Sequence, residues 1–291
     1  MDTKELLKKV RRIEIKTRGL SQQVFSGQYH STFKGRGMAF SEVREYQPGD
    51  EIRTLDWNVT ARFNHPYVKV FHEERELNVM LLIDLSKSQS FGTTEQDKRE
   101  LLTEVAAVLS FSAGINNDKV GAILFTDKVE KYIAPKKGKK HLLYIIAELL
   151  NFEPSSKGTD ISQALRFFDN VINKRSIVFL ISDFIDTKFE DSLKITNRKH
   201  DVVAIRVHDP REAKLPNIGL VPFTDNETGD SIWINTSSPT ARAEYEAKYK
   251  NDENKLKDIF VKSKVDYISI ETGQDYIKPL VSMFKNHDKV R

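Results

Sequence analysis

The chain has 291 residues, of which 39% are hydrophobic and 10% aromatic; this supports a sizeable core, excludes global disorder, and suits one large α/β domain with a smaller unit. It contains no cysteine, which excludes disulfides, thiolate chemistry, Cys-ligated zinc and iron–sulfur centres and fits a reducing compartment. The formal net charge is +4, and no apolar run approaches the roughly 18 residues that a bilayer-spanning helix needs.

Residues 1–18 read as a basic amphipathic helix. Leu6, Leu7, Val10 and Ile13 recur at helical spacing, and residues 2–18 carry seven basic against three acidic side chains. This charged start is unlike a signal peptide, so the expectation is a soluble, cytoplasmic protein. Residues 19–75 change character: glycines at 27, 35, 37 and 49, short β-like pieces and no long helical period predict a β-rich unit. Asp50, Arg53, Asp56 and Arg62 flank Trp57 there. Charges buried beside an aromatic ring must be paired, so they are read as an ion-pair network locking this unit against the domain that follows, or as a partner-contact surface.

From residue 76 onward, apolar strands alternate with amphipathic helices. Asn78–Leu85 is a continuous apolar run ending around Asp84, as a buried parallel strand reads. Thr94, three residues before Asp97, is a candidate cap for the next helix. Val120–Phe125 and Val129–Ile133 are strands, the second an edge. His141–Phe152 and the stretch from Ile161 to Ile172 are helices. Ser176–Ser182 and Asp201–Val207 are strands. Residues 220–236 contain Glu227-Thr228-Gly229-Asp230 and read as a hairpin. Ser238-Pro239 opens a long helix with proline in its first turn. Val265–Ile270 is the last strand, and residues 275–286 form the last helix. Such alternation predicts a doubly wound, mostly parallel α/β sheet, with its ligand site beyond the carboxyl ends of the strands, where the strand order reverses.

Three segments converge on that predicted site: Asp84-x-Ser86-x-Ser88, Gly158-Thr159-Asp160 and Ser182-Asp183. Mg²⁺ is a hard cation that takes oxygen ligands and keeps several waters. Hydroxyls of Ser86, Ser88 and Thr159 suit it as direct ligands, and Asp84 and Asp183 supply charge; Mn²⁺ is the alternative ion. Two carboxylates leave a divalent ion electrophilic, so an acidic side chain from a protein partner could complete its shell. Asp-x-Ser-x-Ser alone is a weak motif, and the same residues could serve only as turns and caps.

The set Asp84, Ser86, Ser88, Thr159 and Asp183 resembles the metal-ion-dependent adhesion site of von Willebrand factor A domains. In that family, as the resemblance implies, the serines and threonine contact the ion and the aspartates often act through water. Phe184 departs from the pattern, because many A domains have glycine after this aspartate. Upstream, Gly35-Arg36-Gly37-Met38-Ala39-Phe40, Arg44-Glu45-Tyr46, Gly49-Asp50-Glu51-Ile52-Arg53, Asp56-Trp57 and Thr60-Ala61-Arg62 look like the signature of the bacterial domain of unknown function 58 family. The resemblance covers almost the whole chain. It implies a von Willebrand factor A-like domain over residues 76–291, and a role as an adaptor or assembly factor with a MoxR-type AAA+ ATPase. Many members begin with two membrane helices; no such apolar pair is read in this sequence, so any membrane association is expected to need a partner.

Other chemistries are poorly supported. The seven histidines are scattered without metal-ligand spacing. A Walker loop, Gly-x-Gly-x-x-Gly and Gly-x-Ser-x-Gly are all missing. The basic stretch Lys136-Lys137-Gly138-Lys139-Lys140 lacks the interleaved aromatics of a single-strand binder, so it reads as a solvated loop and no nucleic acid is expected. The expectation is therefore a metal-dependent interaction module rather than an enzyme. A Mg²⁺-dependent hydrolase using the same pocket and a metal-free scaffold are the alternatives.

Overall fold

The computed structural model describes residues 39–72, 77–90, 97–156, 158–186, 188–224 and 231–290. The basic helix expected over residues 1–18, Gly35 and Gly37, the candidate cap Thr94 and the hairpin tip 227–230 lie outside the described residues. Contacts divide the chain between a unit spanning Phe33–Leu77 and one that contains Asn78–Arg291.

The smaller unit pairs β1 (Ala39–Glu45) antiparallel with β2 (Tyr67–His72), with a bulge between Phe40 and Glu42. Between them lies a short helix that the sequence pattern did not suggest, α1 (Trp57–Phe63). Asp56 starts it by accepting the backbone N–H groups of Asn58 and Val59 at 3.0 and 3.3 Å, a cap that contributes about 1 kcal/mol. Asn64, with a left-handed φ of 57°, ends it. The charges pair differently from the network expected around Trp57. Asp50 takes both guanidinium nitrogens of Arg44 at 2.7 and 2.8 Å, and Asp56 faces Lys69 at 3.5 Å. Trp57 itself remains exposed within its unit.

The larger unit is built on a six-stranded sheet. In chain order its strands are β3 (Asn78–Asp84), β4 (Lys119–Phe125), β5 (Val129–Lys136), β6 (Ile177–Ser182), β7 (Asp201–His208) and β10 (Asp266–Glu271). In space they run β10-β7-β6-β3-β4-β5. All neighbours are parallel except β4 and β5. Strands β3, β4 and β6 are apolar along their centres, from Val79 to Ile83, Val120 to Phe125 and Ile177 to Ile181, because both faces are covered. On one face, Met80, Leu82, Ile123, Phe125, Val178 and Leu180 pack against Ile161, Leu165 and Phe168 of α4 (Ile161–Val171) and Phe260 of α6 (Pro239–Ser263). On the other lie α2 (Lys98–Ile115) and α7 (Ile277–Val290), where Phe179 meets Phe284 edge to face at 6.2 Å. This is the expected doubly wound, mostly parallel α/β architecture.

Two local readings are corrected. Lys136 ends β5, and Lys139 and Lys140 belong to the first turn of α3 (Lys139–Asn151), so the basic stretch is loop only at Lys137 and Gly138, whose φ of 101° makes the turn. Helix α5 (Glu190–Lys199) was not foreseen, because Leu193 is its one buried apolar side chain and gives no visible period. The hairpin forms from β8 (Leu220–Thr224) and β9 (Ser231–Asn235). Among the described residues, no helix is long and apolar enough to cross a membrane.

The chain reverses direction across the sheet at β3. It moves outward through β4 and β5, then returns to place β6 on the other side of β3. The register sets Ile83 beside Ile181, so the residues that leave the two strands emerge together. Phe184 is central to this exit. It holds a left-handed φ of 57°, a conformation that costs a residue with a Cβ about 1–2 kcal/mol. Its ring is buried between Phe189 and Phe260, with centroids 5.6 and 5.1 Å away, and that burial offsets the strain. Phe184→Ala is expected to lose about 3 kcal/mol in urea unfolding. Phe184→Gly should recover up to about 1 kcal/mol of that loss by relaxing the backbone, and an alanine variant at least as stable as the glycine variant would refute this account of the strain.

Candidate metal centre

The crevice between the carboxyl ends of β3 and β6 is built by backbone turns at each strand end. Leu85 donates its N–H to Phe125 O at 2.8 Å, which keeps the chain leaving β3 beside β4. Asp84 Oδ1 accepts the Ser86 N–H at 2.9 Å. This aspartate turn folds the following residues back and brings Ser86 Oγ and Ser88 Oγ to 2.9 Å. Both serines and Asp84 are buried. From β6, Ser182 Oγ donates to Asp84 Oδ2 at 2.6 Å and accepts the Phe184 N–H at 3.0 Å, so a single hydroxyl ties the two strand ends together.

Thr159 lies on a loop whose next two residues bond to both sides of β3. The next residue, Asp160, donates its N–H to Thr126 O at 3.0 Å, just past the end of β4. Ile161 donates to Asp186 Oδ2 at 3.2 Å, in the loop that follows β6. A segment anchored on β4 at one residue and beyond β6 at the next runs across the end of β3, which lies between them. Asp160 also caps α4 by accepting the Gln163 N–H at 2.8 Å. Asp84, Ser86, Ser88 and Asp183 thus share one end of the sheet, with Thr159 on the loop crossing above it.

Asp84 and Asp183 are close enough to repel. Burial first, and then the charge of Asp183, push the Asp84 carboxyl up to about 7, against the opposing hydrogen bonds from Ser182 and Ser86. Asp183 is compensated by Lys98, whose Nζ lies 3.0 Å from Asp183 Oδ2 and 2.6 Å from Glu212 Oε1. Burial works against the lysine's charge, yet the attraction of the two acids outweighs it and holds the Lys98 pKa above its ordinary value.

Sequence reasoning missed Lys98 and Glu212. Two signals were legible. Lysine in the first turn of a helix opposes the helix dipole, and Asp209-Pro210-Arg211-Glu212 has the spacing of a capping box, which it forms.

The oxygen-rich set fits a small hard cation. Asp183 Oδ1 is buried and accepts no hydrogen bond, and Gln89, beside Ser88, is buried with both amide atoms unbonded. Buried polar atoms of this kind normally have a partner. Among the described residues, no three His, Cys, Asp or Glu side chains gather as a metal cluster, so the hydroxyls are indispensable to any such site.

The strand reversal and the crevice at β3 and β6 define a doubly wound α/β domain with its candidate site at the switch point. The chain belongs to the DUF58 family, described as a protein of unknown function, whose profile matches residues 42–255. It is 31% identical over 233 residues to the uncharacterized protein Rv1480 of Mycobacterium tuberculosis, covering 79% of this chain and 73% of the relative. It is also 31% identical over 110 residues to the uncharacterized protein YeaD of Bacillus subtilis, covering 38% of this chain and 25% of that protein. Among solved structures, an aerotolerance-related membrane protein from Bacteroides fragilis aligns with a TM-score of 0.52 and 18% identity, over 74% of this chain and all of that one. At that identity the likeness concerns the fold.

The raised Asp84 carboxyl predicts a pH dependence for the chelator-treated protein. Its folded pKa lies above the ordinary unfolded value near 4, so the folded state holds a proton that the unfolded chain has lost. The resulting stabilisation is complete below about pH 4 and disappears as pH rises through about 7. Relative to Asp84→Asn, wild type should gain about 2 kcal/mol between about pH 8 and about pH 5.5 in denaturant melts. A difference that stays flat over this range would show that Asp84 titrates normally.

Proposed function

We propose that this chain is a metal-dependent protein-interaction module, acting as an adaptor or assembly factor with a MoxR-type AAA+ ATPase. The observation that carries the proposal is the pair of buried serine hydroxyls 2.9 Å apart, set beside two buried carboxylates, one of which keeps an unbonded oxygen. DUF58 membership and the A-like fold support the same reading.

Ser86, Ser88 and Thr159 would hold a Mg²⁺ or Mn²⁺ ion through their hydroxyls. Asp183 would contribute through Oδ1. Asp84 already spends one oxygen on the Ser86 N–H and the other on Ser182, so its part is to shape the turn and supply charge. When bound, such an ion offers an electrophilic position that a carboxylate from a partner can complete. Ser86 and Ser88 are neutral ligands, which leaves the ion's charge only partly cancelled and available to that partner. Adhesion of this kind needs no nucleophile or general base, so the module is proposed as non-catalytic.

Calorimetric titration of Mg²⁺ and Mn²⁺ tests the ligand set. Wild type should bind both ions, and Ser88→Ala and Asp84→Asn should each weaken binding by about tenfold or more. Wild type should also retain the ATPase in pull-downs with Mg²⁺ and release it on chelation. Equal ion binding by all three proteins would remove the proposed site, and retention indifferent to chelator would favour the metal-free scaffold.

A further inference from the structure

Lys98 is an expensive way to fill space. Its side chain is 1% exposed, and a buried ammonium carries a desolvation cost that an apolar residue of similar size would avoid. It also sits in the first turn of α2, directly after the cap Asp97, where the helix dipole disfavours a cation. Two acids hold it in place. Asp183 comes from the exit of β6, with its side chain 2% exposed. Glu212 comes from the turn after β7, with its side chain 24% exposed. Glu212 is positioned in its own right, since its Oε2 accepts the Asp209 N–H at 3.3 Å. Asp209 in turn accepts from the Arg211 N–H at 2.9 Å and from Thr272 Oγ1 at 2.9 Å, which anchors the turn beyond the end of β10.

The ammonium occupies Asp183 Oδ2 and leaves Oδ1 unbonded. The array formed by Asp84, Asp183, Glu212 and Lys98 has three carboxylates and one ammonium. When all are ionised its formal charge is −2, which a single divalent cation neutralises. We propose that Lys98 and Glu212 form a charge-balancing pair that sets how tightly the centre takes a divalent ion. Lys98 competes for Asp183 as a tethered cation. Glu212 restrains the lysine and restores the negative charge that the lysine cancels. Both are positioning residues, because they act through Asp183 rather than as ligands. The inference rests on the metal-binding reading above and adds its control: the turn after β7 is wired to the site through two ion pairs, so anything that pulls Glu212 away should lower the site's hold on the ion.

Calorimetric titration of Mg²⁺ and Mn²⁺ at fixed pH and ionic strength into wild type, Glu212→Gln and Lys98→Met tests it, alongside thermal unfolding with and without the ions. Removing the glutamate charge is expected to weaken affinity about tenfold, and removing the lysine charge to strengthen it about tenfold, the scale of one partly screened unit charge near a dication. The Lys98→Met protein should also be the one whose melting temperature rises most when the ion is added. A purely structural ion pair would lower the stability of both variants and leave their affinities alike. Affinities unmoved, or moved in the same direction, overturn the proposal. If Lys98→Met fails to fold, Glu212→Gln decides alone, because its isosteric side chain is partly exposed; unchanged affinity in that variant overturns the proposal. A wild type that binds neither ion sinks the metal reading itself, whereas wild-type binding with unshifted variants sinks only the charge-balancing pair.

Discussion

Two carboxylates buried abreast at the ends of adjacent parallel strands impose a constraint that organises the rest of this site. Asp84 and Asp183 emerge together because the β3–β6 register places Ile83 beside Ile181, and strands that are apolar on both faces cannot slip without exposing their cores. Two buried like charges are tolerated only if something answers them. The surroundings answer in three ways: Ser182 and the Ser86 N–H bind both oxygens of Asp84, Lys98 binds Asp183, and burial shifts Asp84 toward its protonated form. An oxygen-binding cation would be a fourth answer, and the proposed adhesive role uses it.

The same constraint explains the loop after β6. The chain must turn sharply at Phe184 for Asp183 to stay at the crevice while α5 returns along the sheet. Many A domains use glycine at this point, and here a phenylalanine accepts the left-handed backbone. The ring that makes the turn costly also stabilises it, by completing an aromatic cluster with Phe189, Phe260 and Tyr267. Site geometry and core packing are therefore one problem, since the residue next to a proposed ligand is itself part of the core.

The family signature in the smaller unit has a local physical meaning. Gly49 adopts a φ of 112°, and Asp50 then gathers Arg44 and the Gln47 N–H. Asp56 caps α1, and Thr60 accepts the Tyr67 N–H at 3.0 Å, which ties the helix to the start of β2. Of the residues that read from sequence as a charge network around Trp57, Asp50 and Asp56 instead secure a turn and a helix end, as short polar side chains beside backbone donors commonly do.

Period and punctuation were enough to identify the parallel strands, the long helix opening at Ser238-Pro239 and the order of the Asp-x-Ser-x-Ser, Thr159 and Asp183 segments. These are properties of neighbouring residues, and burial on both faces of a sheet writes them directly into a strand as an unbroken apolar run. Helix α5 escaped because it buries a single apolar side chain, and α1 because it is only seven residues long. Folding alone decided that Lys98 meets Asp183, 85 residues away, and Glu212, 114 residues away. A charge pair across such separations leaves no periodic trace in the chain; it exists only because parallel crossovers return distant strands to the same carboxyl end of the sheet.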